Sequence, residues 1–185
     1  MPKVRTGFVA ALLVLLGACG DNAAQGRFEI RNIDAHWSNG RLAVTFEQDV
    51  TLSPEARNAL VHGVPLTLSV ELVLREGQGR TRIRKQEASW EVRYLPLSDR
   101  YRLSRTDGEE AGTYPRLRHA LSEIGRVSLD VETGALPRGE YELLARGFLD
   151  KRRVPPPMRL PVLFSPRWSH QSEWTAWTVE IEPGA

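Results

Sequence analysis

From Pro65 to Arg75, and again from Ala88 to Tyr94, apolar residues recur at every second position, and that period decides which architectures are open to the chain. Leu66, Leu68, Val70, Leu72 and Leu74 fall on one side of an extended segment, with Thr67, Ser69, Glu71 and Arg75 on the other and Val73 as the exception. A helix would scatter these residues around its axis, whereas a strand sorts them into one dry and one wet face. Gly77-Gln78-Gly79 turns the chain, and Arg82 to Tyr94 returns with Ala88, Trp90, Val92 and Tyr94 opposed to Ser89, Glu91 and Arg93. The pattern predicts a hairpin with one face to bury.

The same alternation predicts strands at Phe28 to Trp37, Leu42 to Val50, Arg100 to Arg105, Val127 to Val131, Tyr141 to Asp150 and Trp177 to Ile181. Asn39-Gly40 joins the first two in the favoured two-residue turn. Ser53-Pro54-Glu55 reads as an N-cap followed by proline at the first helical position, with a short helix to about Val61 that stops at Gly63. A second helix is expected over Tyr114 to Ile124, where Leu117, Leu121 and Ile124 share a face, ending at Gly125. Many short strands with sparse helix point to a mainly β chain: an antiparallel β-sandwich, immunoglobulin-like or related, with two short helices. An up-and-down barrel and a curved half-barrel sheet are the alternatives. The folded part is expected to be a single β-sandwich domain over residues 27–182, since no internal repeat or change of composition divides it.

Ahead of the strands, the sequence reads as an export signal. Lys3 and Arg5 precede an apolar run from Phe8 to Leu16, and Leu16-Gly17-Ala18-Cys19 resembles the lipobox of a bacterial lipoprotein. The run is too short for a membrane span, which needs about 20 apolar residues as helix. Resemblance to lipoprotein signals implies that residues 1–18 are cleaved, leaving Cys19 as the first mature residue, acylated on sulfur and on its amino group. Two or three acyl chains anchor stably where one holds only marginally. Residues 19–26 would form the lipidated tether, and the small polar segment from Gly20 to Gly26 suits that role. By resemblance to the usual lipoprotein sorting signals, the inner-membrane retention aspartate is missing from its key position, occupied here by Gly20, so the outer membrane, facing the periplasm, is the default site. Cys19 is the only cysteine, so no disulfide can form within the chain. Cleavage takes away two basic residues and no acid, which leaves the two kinds of charge equal and removes any argument for nucleic acid.

Reaction chemistry is hard to find. His36, His62, His119 and His170 sit in unrelated contexts, without the spacing of a zinc site, and no Gly-x-Ser-x-Gly turn is present. Asp107-Gly108-Glu109-Glu110 lacks the spaced oxygen ligands of a calcium loop and reads as a solvated loop. The expectation is a protein that is not an enzyme and needs no cofactor or metal.

Three features remain as recognition candidates. Arg80, Arg82 and Arg84 recur at period two beside Lys85, and Lys151-Arg152-Arg153 ends another strand; both groups suit phosphate or carboxylate and equally suit the blunting of a sheet edge. Val154-Pro155-Pro156-Pro157-Met158-Arg159-Leu160-Pro161 cannot donate ladder hydrogen bonds at its prolines and is expected to be an extended arm or connector. Beyond it, Trp168 and Trp174 lie in a polar stretch and can stack on a sugar, anchor a protein contact or pack under the loop, while Trp177 shares a strand face with Val179 and Ile181 and reads as core. The candidate binding surface is therefore Trp168, Trp174, Arg159, Arg82 and Arg84.

The order of these pieces resembles the DUF4390 family of proteobacterial exported proteins of unknown function. The likeness is carried by Val64-Pro65-Leu66, Trp90-Glu91-Val92-Arg93-Tyr94, Arg100-Tyr101-Arg102-Leu103-Ser104, and Leu160-Pro161-Val162 ahead of Trp168, Trp174 and Trp177. It spans about Phe28 to Ile181 and brings no catalytic residue or cofactor. It implies a context, because members are often encoded beside a membrane sensor histidine kinase of the nitrogen-regulation type. Many members resemble soluble exported proteins, so the lipobox is a departure. The sequence thus points to a lipid-anchored binding or interaction module with an envelope partner such as a sensor kinase. An envelope glycan- or lipid-binding lipoprotein is the alternative.

Overall fold

Asn39 and Gly40 have φ of 50° and 79°, the two successive left-handed residues that a type I′ hairpin turn requires. The turn closes with Ser38 opposite Arg41, in a computed structural model that describes residues 26–77 and 81–182. The predicted signal, Cys19, the tether up to Gln25 and Arg80 lie outside the described residues.

Among the described residues nine strands follow in chain order: β1 (Arg27–Ser38), β2 (Arg41–Thr51), β3 (Leu66–Glu76), β4 (Arg82–Leu95), β5 (Arg100–Arg105), β6 (Glu110–Tyr114), β7 (Arg126–Glu132), β8 (Gly139–Leu149) and β9 (Thr175–Ile181). They form two antiparallel sheets, one of order β1-β2-β7 and one of order β6-β5-β4-β3-β8-β9. The architecture is the expected mainly β, antiparallel sandwich, and every strand predicted from the alternation is present.

The dry faces meet as the period requires. Leu66, Leu68, Val70, Leu72 and Leu74 of β3, with Tyr141, Leu143 and Ala145 of β8, are buried in one core with Leu42, Val44 and Phe46 of β2 and Val127, Leu129 and Val131 of β7. Fully burying one such side chain stabilises the fold by about 1.5–3 kcal/mol. β1 packs closely on β8 at Gly147, where a Cβ would stand 2.9 Å from Phe28 Cδ1. Trp177 is half-buried against the core, on the face it shares with Val179 and Ile181.

α1 (Pro54–Val61) forms as read, with the Ser53 hydroxyl accepting from the Ala56 N–H at 3.1 Å. α2 (Leu117–Glu123) is shorter than the spacing predicted. Tyr114 belongs to β6, opposite Tyr101, because the residue before a proline is pushed out of helical geometry and Pro115 follows. β6 itself was not visible in the alternation; it replaces the end of the acidic loop expected at Asp107 to Glu110.

The proline arm also departs from expectation. It winds into α3 (Pro156–Phe164), entered from a short 3-10 turn, Lys151–Arg153. Pro156 and Pro157 occupy the first helical turn, where an N–H has no intrahelical partner, and their fixed φ suits a helix start. Counting missing donors predicted an extended segment; for Pro156 and Pro157 the place at the helix start removes that cost, while Pro161 alone sits inside the helix.

Candidate functional site

The structure separates the five residues expected to form one surface. Trp168 is 7% exposed and packs into the core from the 3-10 turn Pro166–Trp168, so it is not a surface residue. Its immediate polar neighbours, Arg167 and Ser169, are the exposed ones, while His170 and Ser172 of the same stretch are buried with it. Arg159 is exposed on α3, its Nε donating to the Val154 carbonyl at 3.1 Å. Arg82 and Arg84 do not share a face. A bulge sets Arg84 opposite Leu74 and Arg82 opposite Arg75, and directly paired residues share a face while Leu74 and Arg75, as neighbours, do not. The extra residue, Ile83, packs against the core.

Trp174 remains, 41% exposed, and its surroundings define the site. The Arg146 guanidinium lies 4.5 Å from its ring centroid and 5.3 Å from that of Phe148. Register explains how Arg146 reaches this position. On the outer face of the six-stranded sheet, Glu71 of β3 stands between Arg146 of β8 and Glu87 of β4, and the next pair along places Lys85 opposite Val73. Glu71 accepts from Arg146 Nη2 at 2.8 Å and from Lys85 Nζ at 2.5 Å. Its side chain is 7% exposed, against 33% and 44% for the two cations.

One row of side chains thus runs Lys85, Glu71, Arg146, Trp174 across three strands to the segment before β9. Burial pushes the Glu71 carboxyl upward, but hydrogen bonds from Lys85 and Arg146 outweigh it and hold the group below its ordinary pKa. Glu71 is therefore a fixed anion at neutral pH, a support for the guanidinium over the indole rather than a proton carrier.

Beside this row, Ser69 and Ser89 share a hydrogen bond of 2.7 Å, and a cleft of about 520 Å³ opens, lined by Glu87, Ser89, Thr106, Asp150, Arg152 and Arg153. The basic run expected at Lys151-Arg152-Arg153 is partly neutralised there. Asp150, with its side chain 4% exposed, accepts from the Arg152 N–H at 3.0 Å and from Arg152 Nε at 2.9 Å, and pairs with Arg153 at 3.4 Å. Burial raises the Asp150 carboxyl, and the Arg152 bonds lower it further than burial lifts it. The outer face therefore carries preset charges of both signs with an aromatic ring at one side, an arrangement suited to recognition.

His36, His62 and His119 are exposed, while His170 is buried and accepts the Ser53 N–H on Nε2 at 2.9 Å, tying the β8–β9 connection to the start of α1. Burial lowers its pKa. Among the described residues no group of three or more histidine, cysteine or acidic side chains is placed to hold a metal ion.

Sequence reasoning missed Glu71, Arg146 and Asp150. Each sits singly on a strand or at its end, and only the pairing register brings them together. A charge on each of three neighbouring strands was the available signal, but it is readable only once their order is known.

Beyond geometry, the family model described as a domain of unknown function, DUF4390, matches residues 25–178. The chain belongs to this family. The match covers every strand from β1 to β8 and reaches into β9. No curated protein and no solved structure matches this DUF4390 chain, so its site is defined by its own geometry.

Proposed function

We propose that this DUF4390 chain is a non-enzymatic binding module of the cell envelope, held to a membrane by lipid on Cys19, facing the periplasm, and contacting its partner through the outer face around Trp174. One observation carries the reading: Trp174 stands exposed under the Arg146 guanidinium, which Glu71 fixes from a nearly buried position. Tryptophan and arginine concentrate binding energy at interfaces, and a side chain already locked by its neighbours loses little entropy on contact. The lipobox supports the anchor, and the absence of a retention aspartate at Gly20 supports the outer membrane. The gene neighbourhood that the family likeness implies supports an envelope protein, such as a sensor histidine kinase, as partner. A glycan- or lipid-binding role resting on paired tryptophans has lost one of them, since Trp168 is buried.

The test is co-purification of partners with the lipidated chain from membranes, comparing wild type with Trp174→Ala and Arg146→Gln. Loss of one envelope protein in both variants, with folding intact, is the expected result; unchanged capture contradicts the assignment of this face. Cys19→Ala is expected to move the protein to the soluble periplasmic fraction, and continued tight membrane association contradicts the anchor.

A further inference from the structure

A second concave surface lies away from Trp174. It is an open groove of about 710 Å³, where the end of β2 passes between α1 and α2. Val50, Leu117 and Leu121 are half-buried in its wall, each leaving apolar surface in reach of a ligand. Four guanidiniums line it. Arg31 is paired with Asp49 at 2.6 Å and Arg126 with Glu47 at 2.6 Å. Arg57, on α1, and Arg118, on α2, are exposed and make no ion pair among the described residues; Arg118 donates to His119 Nε2, at 3.3 Å. The groove therefore carries two guanidinium charges in excess over its carboxylates, at its two helical sides.

The backbone adds a second feature. β2 pairs with β7 only as far as Glu47 opposite Arg126, and the Gln48 N–H closes that side by donating to the Gly125 carbonyl at 2.7 Å. Peptide groups alternate sides along a strand, so those of Val50 point to the side Gln48 uses, beyond the last β7 partner. An extended chain laid in the groove meets an open strand edge at Val50, apolar side chains from α2, and arginine on each side.

We propose that this groove binds an acidic, apolar-containing extended peptide segment of a partner protein. Guanidinium forks match carboxylates, and the apolar wall selects leucine-like residues between the acids. The inference deepens the interaction-module reading given above by naming the chemistry of a second contact, and it rests on that reading only for the presence of a protein partner.

The probe is a fluorescent octapeptide of alternating leucine and glutamate, titrated by anisotropy against the full lipidated chain in phosphatidylcholine nanodiscs. Saturable binding is expected, weakened at least tenfold by Arg57→Gln with Arg118→Gln, and at least tenfold when glutamine replaces glutamate in the peptide. Arg138→Gln, elsewhere on the surface, is expected to leave binding unchanged. Absence of saturable binding, equal binding of the acidic and neutral peptides, or indifference to the double variant overturns the proposal. So does capture of phosphatidylglycerol vesicles through Arg57 and Arg118 with no peptide binding, which would assign the arginines to lipid headgroups. Trp174→Ala serves to keep the two readings apart: peptide binding that survives it stands even where the Trp174 surface recruits nothing.

Discussion

Replacing Glu71 by glutamine tests the support beneath the Trp174 surface. The carboxylate, 7% exposed, holds Lys85 at 2.5 Å and Arg146 at 2.8 Å, with Arg146 Nε at 3.3 Å. Glutamine keeps one neutral oxygen and presents an NH₂ to the other cation, so charge-assisted bonding is lost on at least one side. A hydrogen bond to a charged group contributes about 1.5–3 kcal/mol. Lys85 and Arg146 are partly exposed and regain water when released, which reduces that figure to about 1–2 kcal/mol. In a chain of this size each kcal/mol moves Tm by about 2–4 °C, so a fall of about 2–8 °C is expected. The pH dependence gives a second readout. Glu71 is held below its ordinary value of 4.5 in the fold, so its contribution is complete above that value and is lost as pH falls through the lower, folded value. Urea unfolding of wild type and Glu71→Gln at pH 7 and under acid conditions should show a gap at pH 7 that closes in acid. Equal stability at pH 7, or a gap that persists unchanged in acid, refutes the account of the row.

Three further outcomes follow from the packing. Gly147→Ala places a methyl 2.9 Å from Phe28 Cδ1 and 3.0 Å from Gln48 Oε1, and overpacking of this kind costs about 1–3 kcal/mol; Phe28→Leu in the same chain should recover part of it in chemical denaturation. Ser53→Ala removes the cap that satisfies the Ala56 N–H and should lower unfolding free energy by about 1 kcal/mol. Burial lowers the His170 pKa from 6.5, so its contribution is complete above about pH 6.5 and declines as pH falls toward the folded value. The loss of stability between pH 7 and 5 should be smaller in His170→Gln, measured by urea unfolding at each pH.

The strands were legible because burial on one face writes a period of two into the chain, and the Asn39-Gly40 and Ser53-Pro54 signals act through their immediate neighbours. β6 was not, since five residues containing Gly112 give too short an alternation, and its partner β5 is what holds it extended. α3 was misread for a local reason, the harmlessness of proline in a first turn. The site was legible only in part. Trp174 could be singled out by type, but Trp168 looked the same in sequence and ended in the core. The row across Lys85, Glu71 and Arg146 depends on strand order and register, and Arg82 and Arg84 were split by a bulge that period counting does not register.

The most direct measurement of the central claim is in-cell photo-crosslinking from position 174 in the full lipidated chain, repeated with Arg146→Gln, with adducts identified by mass spectrometry. One dominant envelope-protein adduct that fades in the Arg146 variant is expected. Adducts of glycan or lipid alone, or an adduct pattern indifferent to Arg146, would contradict it.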